Sequence, residues 1–174
     1  MAPALELMRG AMKFVHDTGS LLASMPAYVP GESYTVKECI EEVKDKDSRR
    51  SLEVYSEKLK VLEPKEESVR KVKEVAKELG ERLSDTDVKV IALALDLGAT
   101  VLSDDYGVLN VATYLGLNAR PVRTKGIKEN VMWVNYCPFC KVEYPPDVEV
   151  CPRCGAKVVR RPRFKAGGRG KGRG

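Results

Sequence analysis

Two cysteine knuckles, Cys137-Pro138-Phe139-Cys140 and Cys151-Pro152-Arg153-Cys154, constrain the fold of this chain more than any other feature. Each pair has two residues between its thiols, so both sulfurs can reach one metal ion. The ten residues between the pairs suffice for a short hairpin that closes four thiolates into a tetrahedron. Gly155 follows the second knuckle, where the chain turns beneath the metal. The spacing predicts a four-cysteine zinc ribbon. A rubredoxin-like iron site uses the same Cys-Pro-x-Cys knuckle and differs in colour, because ferric thiolates absorb visible light and zinc does not. Disulfides fit less well, since neither composition nor N-terminus has the marks of a secreted chain. The fifth cysteine, Cys39, stands beside Ile40 in a predicted helix and reads as a packed thiol. The implied compartment is reducing, most simply the cytoplasm.

The length of 174 residues admits one ordinary domain and one small metal module. Roughly 120 residues ahead of the knuckles suffice for a core, whereas a ribbon of about 25 cannot bury one and depends on its metal. The expected division is a body over residues 12–123, a polar linker over 124–131, a ribbon over 132–163 and a basic tail over 164–174. Met12 precedes a strand-like run, which leaves residues 1–11 as an upstream extension. The net charge of +5 is uneven: the segment from Cys137 onward carries 10 Lys/Arg against 3 Asp/Glu, and the remainder is slightly acidic. An acidic body with a basic end points to a polyanion held by that end. No stretch is long or apolar enough to span a membrane, and no secretory apolar core opens the chain. The run from Lys165 to Gly174 has nothing to bury and is expected to be disordered.

Helical and strand patterns alternate ahead of the knuckles. Lys13 to His16 reads as a buried strand ending at Asp17, and Thr35 with Glu38 resembles a capping box that opens a helix. Lys58 to Leu62 alternates as a strand. Glu66 to Leu79 carries a helical apolar face stopped by Gly80, and Ser84 caps a second helix that ends at Gly98. Thr100 to Ser103 is a strand, a helix follows from Tyr106 to Leu115, and Ala119 to Val122 is a last strand. The alternation predicts an α/β fold, a three-layer α/β/α domain with a central parallel sheet. Met132 to Tyr136 and Ala156 to Arg160 flank the knuckles as ribbon strands.

Open parallel sheets carry their sites at the carboxyl ends of the strands. Asp17 falls there, as does Asp105 with its neighbour Asp104. Glu42, on the helix after Thr35, and Asp87, in the first turn after Ser84, are placed to face the same edge. Two carboxylates about 5 Å apart repel by roughly 3 kcal/mol at an effective dielectric near 20. A cluster of four therefore makes sense with divalent cations in it, and all-oxygen donors favour Mg²⁺ or Mn²⁺. Thr18-Gly19-Ser20 after Asp17 forms a small polar turn open to an anion or a metal-bound water. His16, inside an apolar strand, reads as a packed side chain rather than a base.

Together these segments resemble the PIN domain, a nuclease fold with four acids in this order. The matching text is His16-Asp17-Thr18-Gly19-Ser20, Thr35 through Glu42-Val43, Leu83-Ser84-Asp85-Thr86-Asp87 and Leu102-Ser103-Asp104-Asp105-Tyr106. Tyr34-Thr35-Val36-Lys37-Glu38, Val43-Lys44-Asp45-Lys46, Arg49-Arg50 and Asn110-Val111-Ala112 resemble the Nin-one-binding (Nob) family in its short archaeal form. That family joins a PIN domain to a zinc ribbon and comprises the endonucleases that mature the 3′ end of small-subunit ribosomal RNA. The resemblance implies metal acids at Asp17, Glu42, Asp87 and Asp105, with Asp17 and Asp105 the most direct ligands. Glu38, Glu41, Asp85 and Asp104 stand close enough in sequence to compete for those positions.

The resemblance also implies metal-assisted phosphodiester hydrolysis leaving 5′-phosphate and 3′-hydroxyl ends, with precursor ribosomal RNA and the small-subunit pre-ribosome as partners. Arg160, Arg161, Arg163 and Lys165 form a basic run after the ribbon, with Phe164 available to stack on a base. The alternative is a non-catalytic RNA-binding assembly factor of the ribosome. A toxin-type PIN ribonuclease does not account for the ribbon, nor an iron electron carrier for the acids. Oligomeric state is not legible in the sequence.

Overall fold

The computed structural model describes residues 12–45, 49–127 and 129–164. The expected upstream extension of residues 1–11 and the basic run from Lys165 onward lie outside the described residues. Five parallel strands form the main sheet: β1 (Lys13–His16), β2 (Glu32–Thr35), β3 (Leu59–Val61), β4 (Thr100–Leu102) and β5 (Ala119–Arg120). Their spatial order is β3-β2-β1-β4-β5. Helices α1 (Thr18–Leu22), α2 (Lys37–Asp45), α3 (Arg49–Tyr55), α4 (Glu66–Leu79), α5 (Asp85–Leu97) and α6 (Tyr106–Tyr114) flank it. The chain runs outward from β1 through β2 to β3, then crosses back to place β4 on the other side of β1. The switch point of this sheet therefore lies between the carboxyl ends of β1 and β4. The Asp17 amide donates to the Leu102 carbonyl at 3.3 Å and carries the β1–β4 ladder one step past the strand end.

The core lies where the helices meet the sheet. Val15, Val36, Val43, Val72, Val90, Ile91, Leu93, Val101 and Val111 all belong to one buried cluster. Helix α5 buries Val88, Val90, Ile91, Ala92, Leu93 and Ala94, apolar around most of its girth because it is enclosed on several sides. Its ends are as the sequence predicts: Ser84 Oγ accepts from the Asp87 amide, and Gly98 closes it in the left-handed region.

The capping box expected at Thr35 is absent, because strand β2 runs through that residue. The Thr35 hydroxyl donates instead to the His16 carbonyl at 2.8 Å, tying β2 to the end of β1. The last strand of the sheet stops at Arg120 rather than Val122, since the amides of Val122, Arg123 and Thr124 turn onto the Asp104 carboxylate. The ribbon has three antiparallel strands in the order β7-β6-β8: β6 (Val131–Cys137), β7 (Val142–Tyr144) and β8 (Val159–Phe164). Its third strand thus begins three residues later than the pattern of Ala156 to Arg160 suggests.

Strand β6 seats the ribbon on the body. A Cβ on Gly80, the left-handed cap of α4, would lie 2.5 Å from the Trp133 carbonyl oxygen and 2.8 Å from Pro146 Cγ. Only glycine permits both this backbone conformation and this approach. Around it Asn110 Nδ2 donates to the Val131 carbonyl at 2.7 Å, and the Val131 amide returns a bond to Asn110 Oδ1 at 2.9 Å.

His16 is fully buried at the end of β1, its ring nitrogens 2.8 Å from Ser20 Oγ and 2.9 Å from Ser33 Oγ. Burial lowers its pKa to about 4, so the folded ring stays neutral where the unfolded chain takes up a proton. Stability from this residue is complete above the unfolded value near 6.5 and is lost as pH falls towards 4, by about 3 kcal/mol. Urea unfolding at pH 7 and pH 4.5 should therefore show a smaller acid-dependent loss in His16→Gln than in wild type. Equal losses would assign the acid sensitivity to another group.

Candidate active site and metal centre

The carboxyl ends of β1 and β4 bring the four sequence-predicted acids to one edge. Asp17 is 8% exposed and caps α1, with Oδ1 accepting from the Ser20 amide at 2.7 Å. Asp105 caps α6, with Oδ1 accepting from the amides of Gly107 at 2.8 Å and Val108 at 3.2 Å. Asp87 stands in the first turn of α5 and Glu42 on α2, where the Thr18 hydroxyl donates to Glu42 Oε2.

The electrostatics link the four. Burial pushes the Asp17 carboxyl above the ordinary range, and the charges of Asp87 and Asp104 push it further, against hydrogen bonds from Ser103 and the Ser20 amide. Burial likewise raises Asp87, with Asp105 and Glu42 adding to it. Asp87 thus feels, or is felt by, each of the other three.

Neighbouring acids have other employment. Glu38 pairs with Lys89 at 2.5 Å, Glu41 is exposed, and Glu42 is the one of the three that meets the Asp17 turn. Desolvation works against the charge on Asp104, but the amides of Arg123, Thr124 and Val122 outweigh it and hold that carboxyl below its usual range. Asp104 clamps the loop after β5, although its charge still reaches Asp17; Asp105 caps α6, and its charge reaches Asp87. Asp85 is exposed at the start of α5.

Sequence reasoning missed Ser103. Its buried hydroxyl accepts from the Asp105 amide at 3.1 Å and stands close enough to Asp17 to draw that carboxyl down against its burial, so one side chain bears on both strand ends. A serine at the end of an apolar strand is the only sequence signal. The Thr18-Gly19-Ser20 turn is less open than expected: the Ser20 hydroxyl faces His16 and the Thr18 hydroxyl faces Glu42.

The four knuckle thiols converge, with their sulfurs all within 4.8 Å of one another. Cys137 Sγ and Cys154 Sγ are 3.6 Å apart, close to the ~3.8 Å edge of a tetrahedron with metal–sulfur bonds of about 2.3 Å. All four thiols are free. The two knuckles share a turn: the Lys141 amide bonds the Cys137 carbonyl at 2.8 Å, the Gly155 amide bonds the Cys151 carbonyl at 2.8 Å, and Lys141 and Gly155 are both left-handed. The Tyr144 hydroxyl lies 3.2 Å from Cys151 Sγ and, as donor, holds that thiol down to about 6, favouring the thiolate a metal requires. Among the described residues the edge carboxylates do not close up to this degree.

The basic run is divided. Arg160 lies over the Trp133 ring at 4.0 Å and donates to the Gly80 carbonyl at 2.8 Å, so it belongs to the seat of the ribbon. Arg161 lies over the Tyr136 ring at 4.6 Å, and Arg163 stands 3.7 Å from Glu143; both are exposed. The Phe164 side chain and Lys165 lie outside the described residues. Phe139, 78% exposed at the tip of the first knuckle, is a second aromatic at this end that the sequence reading did not select.

Residues 14–97 match the family model for the PIN domain of ribonuclease. The chain is 44% identical to Endoribonuclease Nob1 of Pyrococcus abyssi over 76% of this chain and 85% of that one. It is 38% identical to Endoribonuclease Nob1 of Methanothermobacter thermautotrophicus over 86% and 93%. The chain belongs to the Nob1 endoribonuclease family. It is also 34% identical to Ribonuclease VapC1 of Thermoplasma acidophilum, over 86% of this chain and 78% of that one. Nob1 membership accords with the acids and the four-thiol cluster standing in one chain.

Relief of repulsion gives the site a measurable signature. Asp17→Asn keeps an oxygen for the Ser20 amide and removes a buried charge. Without divalent cations at pH 7 it should melt about 3 °C higher than wild type, the shift that roughly 1 kcal/mol produces in a chain of this size. Asp17 has a raised carboxyl, so its penalty applies above the folded pKa and fades as pH falls through it; the gap should close in acid. A lower melting temperature for the variant would mean that the cap outweighs the charge.

Proposed function

We propose that this protein is a divalent-metal-dependent endoribonuclease that matures the 3′ end of small-subunit ribosomal RNA within the pre-ribosome, in the cytoplasm. The observation that carries this reading is the convergence of Asp17, Glu42, Asp87 and Asp105 at the sheet's switch point, where Asp17 and Asp87 are raised by burial and further by neighbouring acids. Among the described residues no helix is long and apolar enough to cross a membrane, which accords with a polyanion in solution as substrate.

The donor set suits Mg²⁺ or Mn²⁺: it is all oxygen, His16 is buried against two serines, and Cys39 is buried with its thiol pushed up to about 11 by desolvation. Asp17 and Asp105 would hold the cation, with Glu42 and Asp87 beside them. When bound, it supplies positive charge against the scissile phosphate and a more acidic water. The chain's own part is positional. The Ser20 amide and Ser103 hold Asp17, the amides of Gly107 and Val108 hold Asp105, and the Thr18 hydroxyl holds Glu42. The hydroxyls at this edge are engaged, Thr18 on Glu42, Ser20 on His16 and Ser103 on the Asp105 amide, so water is taken as the attacking group and 5′-phosphate and 3′-hydroxyl ends as the products.

Cys137, Cys140, Cys151 and Cys154 would hold one structural zinc. RNA would be gripped through Arg161 and Arg163, with Lys165 and Phe164 continuing the run, and Arg160 contributing through the ribbon's seating. Elemental analysis of the purified protein should give one zinc per chain and no visible absorption; a coloured protein would indicate iron.

Cleavage of end-labelled RNA spanning the 3′ junction of small-subunit rRNA, with Mn²⁺ present, tests the activity. Wild type should cut at one position, and Asp17→Asn should bind the same RNA and cut none of it. Binding without cutting by wild type would instead support the non-catalytic assembly factor.

A further inference from the structure

Glu81 directly follows the glycine cap of α4, where the ribbon rests, and its side chain is 11% exposed. Its Oε1 accepts from Trp133 Nε1 at 2.8 Å, on ribbon strand β6, and from Asn110 Nδ2 at 2.9 Å, on α6. Its Oε2 lies 3.8 Å from the Arg160 guanidinium, on ribbon strand β8. One carboxylate therefore joins two ribbon strands and the helix that Asp105 caps. The connection to Asp105 is close. A Cβ placed on Gly107 would stand 3.0 Å from Glu81 Oε2, 3.1 Å from Asp105 Oδ1 and 3.2 Å from Leu83 Cδ2. The first turn of α6 thus runs between the acid at the sheet edge and the acid at the ribbon's seat, with Gly107 close to both carboxylates.

A partly buried carboxylate with two hydrogen-bond donors and an ion-pair partner is held far more narrowly than an exposed ion pair. The Trp133 indole adds direction, since its one N–H must point at the oxygen it serves, and the Arg160 stack closes the other side. Together with the Asn110–Val131 and Arg160–Gly80 bonds, such a joint fixes distance and angle between ribbon and body. The linker expected over 124–131 is one residue shorter than that, because β6 begins at Val131.

We propose that Glu81 is a positioning residue that sets the register between ribbon and acid edge, so that RNA gripped by the ribbon presents one phosphodiester to Asp105. This rests on the endonuclease reading above and adds to it the means by which cutting is confined to one place. Misplacing reacting groups by about an ångström costs on the order of a hundredfold in rate, so a loosened joint spreads cutting rather than merely slowing it.

The test uses the full chain with its zinc, and Trp133, the single tryptophan, reports on the joint directly. Glu81→Ala should expose Trp133 to iodide quenching and should lower the share of product cut at the wild-type position by about tenfold, with new products at neighbouring positions. Glu81→Gln keeps an oxygen for Trp133 and Asn110 and should restore single-position cutting. Arg160→Met, which leaves Glu81 in place, provides a second, milder loosening should Glu81→Ala fold poorly, and should also spread the products. The share at one position is a ratio, which a general loss of stability does not move. Quenching like wild type in Glu81→Ala, or a loosened joint with an unchanged product position, would overturn the proposal while leaving the nuclease reading intact. A wild type that cuts nothing would overturn the nuclease reading and the register claim with it.

Discussion

Carboxylates gathered in a partly dry site repel one another, and the sheet edge is arranged around containing that repulsion. Three of the four acids stand at helix N-termini: Asp17 before α1, Asp87 in the first turn of α5 and Asp105 before α6. Free amides there offset part of the negative charge. Each donor is also aimed at a particular oxygen. The Ser20 amide takes Asp17 Oδ1, and the amides of Gly107 and Val108 take Asp105 Oδ1. These bonds fix the carboxylates in place but do not outweigh burial, which, with smaller contributions from neighbouring acids, still raises Asp17 and Asp87. The fold holds the donors rigid, and on the reading proposed above a cation would supply the rest of the neutralisation. That division suits a site whose geometry must exist before its metal arrives.

The same edge shows why much of the main sheet was legible in the sequence and one of its strands was not. Helices α4 and α5 announce themselves by apolar periodicity and by Gly80, Ser84 and Gly98, each required by local backbone chemistry. Strand β2 has no such signal. Its residues Glu32, Ser33, Tyr34 and Thr35 look polar, yet Ser33, Tyr34 and Thr35 are buried. They can be buried because each hydroxyl has a fixed partner: Ser33 on His16, Tyr34 on Glu32, Thr35 on the His16 carbonyl. A strand whose burial rests on hydroxyls cannot be found by counting apolar residues. The Thr35–Glu38 spacing then imitates a helix start one step too early.

Legibility of the site follows a similar line. Strand ends followed by aspartates point to Asp17 and to the Asp104–Asp105 pair, because topology alone brings those ends together. Choosing within the pair needs the loop after β5, whose amides occupy Asp104. Choosing Glu42 over Glu38 needs α5, whose Lys89 draws Glu38 away. Ser103 is invisible to any pattern, since its value lies in standing between the Asp105 amide and the Asp17 carboxylate, which follow different strands. Spacing finds the acids, and contacts between distant segments assign them.

The basic end shows how a charge count overstates a binding surface. Along an extended strand successive side chains point to opposite faces. In β8, paired residue for residue with β6, Arg160 falls on the face of Trp133, and Arg161 and Arg163 fall on the face of Val134 and Met132. The pleat therefore sends neighbouring arginines to different tasks. Arg160 caps a helix carbonyl and stacks on the indole at the seat of the ribbon, and its partner Glu81 is an acid of the body. Arg161 and Arg163 stay exposed on the other face, although Met132 on that face still reaches the body's core. A ribbon this small has one sheet to work with. Alternation along a single strand therefore commits one arginine of the run to the joint with the body and leaves two exposed, so charge counted along the sequence is more than the charge left at the surface.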